Sequence, residues 1–160
     1  MKKIFKFIIV FAVLYLPYYF YTRTNFEFDE AIHYSITDVE IDKRDSIFLD
    51  SIIYEDFPYQ IYDTTFISKL EKNGFKKNQI SEKNHSNLKT ILRSQFGLGF
   101  LISTKCLPTY RDVIILKKDN KISGIAKICF DCDQHYFVGN SLDDSGFFEY
   151  EALKKLLYNK

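Results

Sequence analysis

Hydrophobic positions divide this chain into two unlike parts. From Phe7 to Tyr21 no charged residue interrupts the apolar run; beyond Arg23, apolar and polar positions interleave with the periods of strands and helices. Over 31–41, Ile32, Tyr34 and Ile36 alternate, then Val39 and Ile41 do so out of phase. That pattern predicts a strand with a slip or bulge near Thr37-Asp38. Segment 45–54 carries Ile47, Phe48, Ile52 and Ile53 at mixed spacing that does not decide between helix and strand, and Pro58 punctuates its end.

Phe66, Ile67 and Leu70 make one apolar face and predict a helix over 63–73, with Asp63 or Thr64 as its cap. Gly74 stands where a Schellman ending needs a left-handed residue, and Phe75 is placed to close onto Leu70. A second helix is predicted over 86–95 from Leu88, Ile91, Leu92 and Phe96, with Gly97 and Gly99 ending it. Segments 111–118 and 121–130 read as two strands around the turn pair Asp119-Asn120, and 136–138 as a third. A last helix over 146–158 places Phe148, Ala152, Leu153, Leu156 and Leu157 inward. Its acids, Glu149 and Glu151, come early and its lysines, Lys154 and Lys155, late, in keeping with the helix dipole. The expected fold is an α+β domain spanning 31–160, with an antiparallel sheet that includes the 111–130 hairpin, packed by two or three helices.

The first part reads as a membrane segment. Lys2, Lys3 and Lys6 precede the apolar run, the order found in secretory signals. No small-x-small pair follows for a signal peptidase, and no cysteine follows for lipoprotein processing. Tyr15, Tyr18, Tyr19 and Tyr21 instead suit an aromatic belt at a membrane–water interface. A helix from Ile4 to Tyr21 would extend about 27 Å, enough for a thin bilayer. The expectation is a single-pass signal anchor over 1–21 and a tether over 22–30. The preceding lysines put the N-terminus in the cytoplasm and the domain outside. The run is short and Pro17 weakens its last turn, so a cleaved signal with a secreted or periplasmic domain is the alternative.

Composition changes this picture little. An apolar fraction of 46% supports a packed core, and 160 residues leave room for one domain after the anchor. Removing Lys2, Lys3 and Lys6 from 22 basic residues leaves 19 against 21 acidic, about −2 for the remainder. Such a near-neutral domain without a basic block gives no footprint for nucleic acid.

Three cysteines carry the candidate chemistry. Cys106, Cys129, Cys132 and the following His135 have the spacing C-x22-C-x2-C-x2-H. If Lys118 pairs with Lys121, the hairpin register puts Cys129 opposite Tyr110 and Cys106 opposite Asp133. All four residues then gather at its open end, provided the chain stays extended past Pro108. A disulfide from Cys106 to Cys132 or Cys129 suits an oxidising compartment. A zinc site of Cys106, Cys129, Cys132 and His135 is the alternative, since three thiolates and one imidazole form an accepted tetrahedral set. A redox-active C-x2-C is disfavoured by Asp131 and Asp133, whose charges would raise the Cys132 thiol pKa.

Tyr110-Arg111-Asp112 at a strand entrance is a candidate recognition cluster, against the plainer reading of an ion pair that fastens a loop. His33, His85 and His135 fall in no Ser/His/Asp or metalloprotease pattern. Gly97-Leu98-Gly99 lacks the lysine of a phosphate loop, and Asp143-Asp144-Ser145-Gly146 lacks the distal glutamate of an EF-hand. Asn84-His85-Ser86 is a glycosylation sequon, meaningful only in a host that secretes through an ER. The run Cys106-Leu107-Pro108-Thr109-Tyr110-Arg111-Asp112, followed by Ile128-Cys129-Phe130-Asp131-Cys132, resembles a C-x-P-x-Y-R-D and C-F-x-C pattern. That pattern belongs to uncharacterised exported or membrane-attached bacterial proteins. The resemblance implies an anchored or exported domain and no activity.

With no catalytic set in view, the sequence leans away from an enzyme. It points to a membrane-anchored protein whose outer domain binds a protein or envelope component, an immunity-type protein being one case. The alternative is an envelope thiol or zinc protein. The first reading implies no cofactor, the second zinc.

Overall fold

Val113, Ile114, Ile115 and Leu116, the most continuous apolar stretch of the domain, are all fully buried. A strand whose successive side chains point to opposite faces is apolar throughout only where both faces are covered. The computed structural model places this stretch at the centre of the sheet. It describes residues 27–41, 46–61, 65–93, 106–139 and 149–158. The expected anchor over 1–21 and most of the tether lie outside them. Among the described residues, no helix is long and apolar enough to cross a membrane.

Five strands, β1 (Glu30–Ser35), β2 (Lys76–Gln79), β3 (Asp112–Lys118), β4 (Lys121–Cys129) and β5 (Gln134–Gly139), form one antiparallel sheet. Their order is β2-β1-β3-β4-β5. The helices are α1 (Asp38–Ile41), α2 (Ile47–Tyr54), α3 (Phe66–Lys72), α4 (His85–Arg93, entered through a 3-10 turn at Glu82–Asn84) and α5 (Tyr150–Tyr158). On one face, Leu49, Ile52 and Ile53 of α2 and Phe66 and Leu70 of α3 pack on Ile32, Tyr34, Val113, Ile115 and Ile125. On the other, Leu88, Ile91 and Leu92 of α4 and Tyr150 and Leu153 of α5 pack on Ala31, Ile114, Leu116, Ala126 and Ile128. The fold is therefore α+β, with helices on both faces of an antiparallel sheet.

Helix α2 resolves the ambiguous segment, and Ser46 caps it by accepting from the Leu49 amide at 3.4 Å. Helix α3 ends as its sequence predicts. The Phe75 amide donates to the Leu70 carbonyl and the Gly74 amide to that of Glu71, with Gly74 at φ 91°. The described part of the last helix begins at Tyr150, and Phe148 lies outside the described residues.

Three differences from the sequence reading have physical causes. Strand β1 stops at Ser35, where its partners β2 and β3 also end, and the chain turns into α1 in place of the expected strand to residue 41. Strand β2 has no counterpart among the predicted elements. Its four residues are all exposed on a sheet edge, so no apolar alternation marks it. The hairpin turn is of the expected two-residue kind, with Asp119 and Asn120 both at positive φ, and Lys118 pairs with Lys121. A bulge at Leu116/Lys117 then shifts the register by one, so that Asp112 faces Ile128.

Candidate functional site

The sheet has two distinct poles. At the tether pole the chain enters β1 at Glu30, opposite Lys117 and beside the 119–120 turn, whose Asp119 amide donates to the Asp29 carboxylate at 2.8 Å. At the far pole lie Ser35 paired with Asp112, the turn from Cys129 to Gln134, the 106–110 segment and the loop after α2. The end of α2, from which that loop leaves, is held there by the Tyr110 amide, which donates to the Ile53 carbonyl at 2.8 Å.

A cleft of about 350 Å³ opens at the far pole, lined among others by Thr37, Asp38, Arg111, Phe130, Asp131 and Lys154. Arg111 dominates its rim. One guanidinium nitrogen donates to both carboxylate oxygens of Asp38 at 2.8 and 2.6 Å, and the other pairs with Asp131. Charge-assisted hydrogen bonds to two carboxylates fix direction as well as attraction. The arginine thereby ties the start of α1 to the β4–β5 turn.

Asp112 lies at the floor of the cleft and is buried. Its Oδ1 accepts from His33 Nε2 at 2.6 Å and from the Tyr158 hydroxyl at 2.5 Å. The carboxylate contact requires a proton on Nε2, and the buried Nδ1 has no hydrogen-bond partner among the described residues. Burial and the Asp112 hydrogen bond raise the Tyr158 pKa well above the usual phenol range. This network closes the C-terminal helix onto the sheet.

The recognition cluster predicted from sequence divides three ways. Tyr110 is buried with Cys129 and Cys132, Asp112 turns to the opposite face of the sheet, and Arg111 stays at the rim. The carboxylate partners of Arg111 are Asp38 and Asp131, not the adjacent Asp112.

The cysteines converge without the histidine. Cys106 and Cys132 are at disulfide distance, with Cα atoms 5.8 Å apart, which fits a disulfide. Cys129 is a buried free thiol whose sulfur accepts from the Thr109 amide at 3.4 Å. His135 pairs with Ile128 on the other face and contacts the Tyr150 hydroxyl through Nδ1 at 2.7 Å. Among the described residues, no group of three or more His, Cys, Asp or Glu is placed to hold a metal ion.

Sequence reasoning missed Lys127, which is wholly buried in β4. Its ammonium donates to the carbonyls of Glu55 and, at 3.0 Å, Phe57, and lies 4.5 Å from the Tyr110 ring centroid and 5.5 Å from that of Tyr136. Burial pushes its pKa down to about 7, against the opposing pull of Asp56 and Glu55. A lysine inside the apolar run Ile125-Ala126-Lys127-Ile128 was the signal available. His33, Asp38, Asp131, Lys154 and Tyr158 carried no comparable mark.

Comparison with known proteins adds no relative: no family model, no curated protein and no solved structure matches this chain.

Proposed function

We propose that the chain is a single-pass, membrane-anchored, non-enzymatic protein whose domain lies outside the cytoplasm and binds a protein or envelope component. Immunity against a toxin at the membrane is a special case of that role. The observation that carries this reading is the polarity of the domain. The chain enters at one pole, while the cleft, the Arg111 clamp and the turn that brings Cys132 to Cys106 are at the other. A domain tethered through 22–30 to a membrane-spanning 1–21 would hold that far pole away from the bilayer.

The polar groups there suit a rigid rim better than proton transfer. Arg111 is engaged by two carboxylates, and His33 and Tyr158 both serve Asp112. Crosslinking the full-length chain in its own membranes, followed by gentle purification, tests the proposal. A stable stoichiometric complex that is lost with Arg111→Ala is expected; a chain recovered alone overturns it.

The zinc set of Cys106, Cys129, Cys132 and His135 does not fit, since His135 lies on the other face of the sheet. A second reading, an envelope thiol protein, has one observation in its favour. Cys129 is a free thiol packed in the same cluster as Cys132. It requires that Cys129→Ser folds normally yet loses function, whereas a variant that keeps its function removes it.

A further inference from the structure

Three large side chains stand in solvent at the far pole, Tyr54 at the end of α2 and Tyr59 and Leu107 on adjoining loops. Tyr54 is 54% exposed, Tyr59 70% and Leu107 89%. The loops are held from several sides. Lys127 donates to the carbonyls of Glu55 and Phe57, the Tyr136 hydroxyl donates to that of Pro58 at 3.3 Å, and the Phe57 and Tyr59 rings meet edge to face at 6.1 Å. Leu107 follows Cys106, which lies at disulfide distance from Cys132 in the β4–β5 turn. A lysine buried to fix a surface loop is an unusual use of a charge. Its effect is to present Tyr54 and Tyr59 on a preformed scaffold, so that little ordering is left to be done on binding. Tyrosine is among the residue types that most often anchor protein interfaces.

The charges that these loops themselves carry have one sign. Among the described residues of the 55–60, 106–110 and 130–133 loops, the charged side chains are Glu55, Asp56, Asp131 and Asp133, all exposed. Asp131 shares its charge with Arg111. Lys127, whose ammonium is held by the carbonyls of Glu55 and Phe57, is buried behind them.

From this we infer that Tyr54, Tyr59 and Leu107 anchor a docking surface, rimmed by Glu55, Asp56 and Asp133, for a protein partner with a basic face. The inference rests on the binding reading above and names its partner class. A second copy of the chain is a poor occupant, because a two-fold contact would set the same carboxylates against one another. An anionic lipid surface is repelled for the same reason, and this pole is opposite the one through which the chain enters.

The test uses the full-length chain in the membranes of the cells that make it. A photo-crosslinking phenylalanine replaces Tyr59, Leu107 or, at the opposite pole, Lys121, and crosslinked peptides are mapped by mass spectrometry. The expected result is a protein adduct from positions 59 and 107 but not 121, on a partner segment richer in Lys and Arg than in Asp and Glu. Asp56→Lys or Asp133→Lys should lower its yield roughly tenfold, as should raised salt. An adduct at twice the chain's own mass, a lipid adduct, or a yield indifferent to both charge reversals overturns the docking surface. A protein adduct from position 121 alone overturns it too, while leaving the membrane-bound binding role intact. No protein adduct from any position overturns both.

Discussion

At the scale of single residues, Lys127 is the group whose chemistry is most altered by the fold. Burial lowers its pKa from 10.5 to about 7, although two carbonyls and two aromatic faces receive the ammonium. Between about pH 7 and the ordinary lysine value, the unfolded chain then holds a proton that the folded chain lacks. Stability must therefore rise with pH across that window, at a slope approaching about 1.4 kcal/mol per pH unit. Above about pH 10 the sign reverses. Burial raises the pKa of Tyr34, Tyr150 and Tyr158, so the unfolded tyrosines ionise first. Urea midpoints of the wild type should climb from pH 7 towards pH 10 and then fall. Lys127→Met should lose the climb and keep the fall. A climb of equal slope in both proteins would mean that Lys127 is not its source. The lysine was legible as an anomaly, a charge in an apolar strand, but its carbonyl partners were not. They come from a loop about 70 residues earlier in the chain, brought close only by the packing of α2 on the sheet.

At the scale of elements, what could be read depended on how local each element's cause is. The Schellman ending of α3 needs only Leu70, Gly74 and Phe75, and the 119–120 turn only its own two residues; both were legible. Strand β2 exists because β1 offers it an edge, and nothing in Lys76–Gln79 itself says so. The cleft was illegible for the same reason, since Asp38, Arg111, Asp131 and Lys154 come from four segments joined by topology. The bulge in β4 did leave a trace, a glycine inside a strand pattern at Gly124. Its consequence appears on β5. Gly139 pairs with Gly124 at φ 139°, and a Cβ there would come within 2.6 Å of the Ser123 carbonyl oxygen and 2.9 Å of the Gly124 Cα. Gly139→Ala should therefore cost about 1–3 kcal/mol, through backbone strain and overpacking together. Denaturant unfolding measures it; a loss below about 0.5 kcal/mol, the range of ordinary surface changes, would show that the strand pair relaxes around the methyl group.

At the scale of the whole molecule, the proposed topology and the disposition of the cysteines constrain each other. A Cys106–Cys132 disulfide persists where the surroundings are oxidising and is rare where cytosolic reductants keep thiols reduced. Closing 26 residues of chain stabilises the fold by about 3 kcal/mol on the loop-entropy view, so the bond matters to the domain as well as reporting its compartment. Cells producing the full chain can be quenched in acid, denatured, and alkylated with a mass-tagged maleimide. The anchored, outward-facing topology predicts one tag per chain, on Cys129, and three after prior reduction. Deleting residues 2–21 removes the lysines and the apolar run together, keeps the domain inside, and should give three tags without reduction. The comparison separates cases that simple fractionation would merge. Three tags on the full chain would place the domain on the reducing side of the membrane, or leave its thiols unbonded outside. One tag on both proteins would mean that the bond forms regardless of compartment and reports nothing about topology. One tag before deletion and three after would join the anchor, the disulfide and the direction of the far pole in a single arrangement.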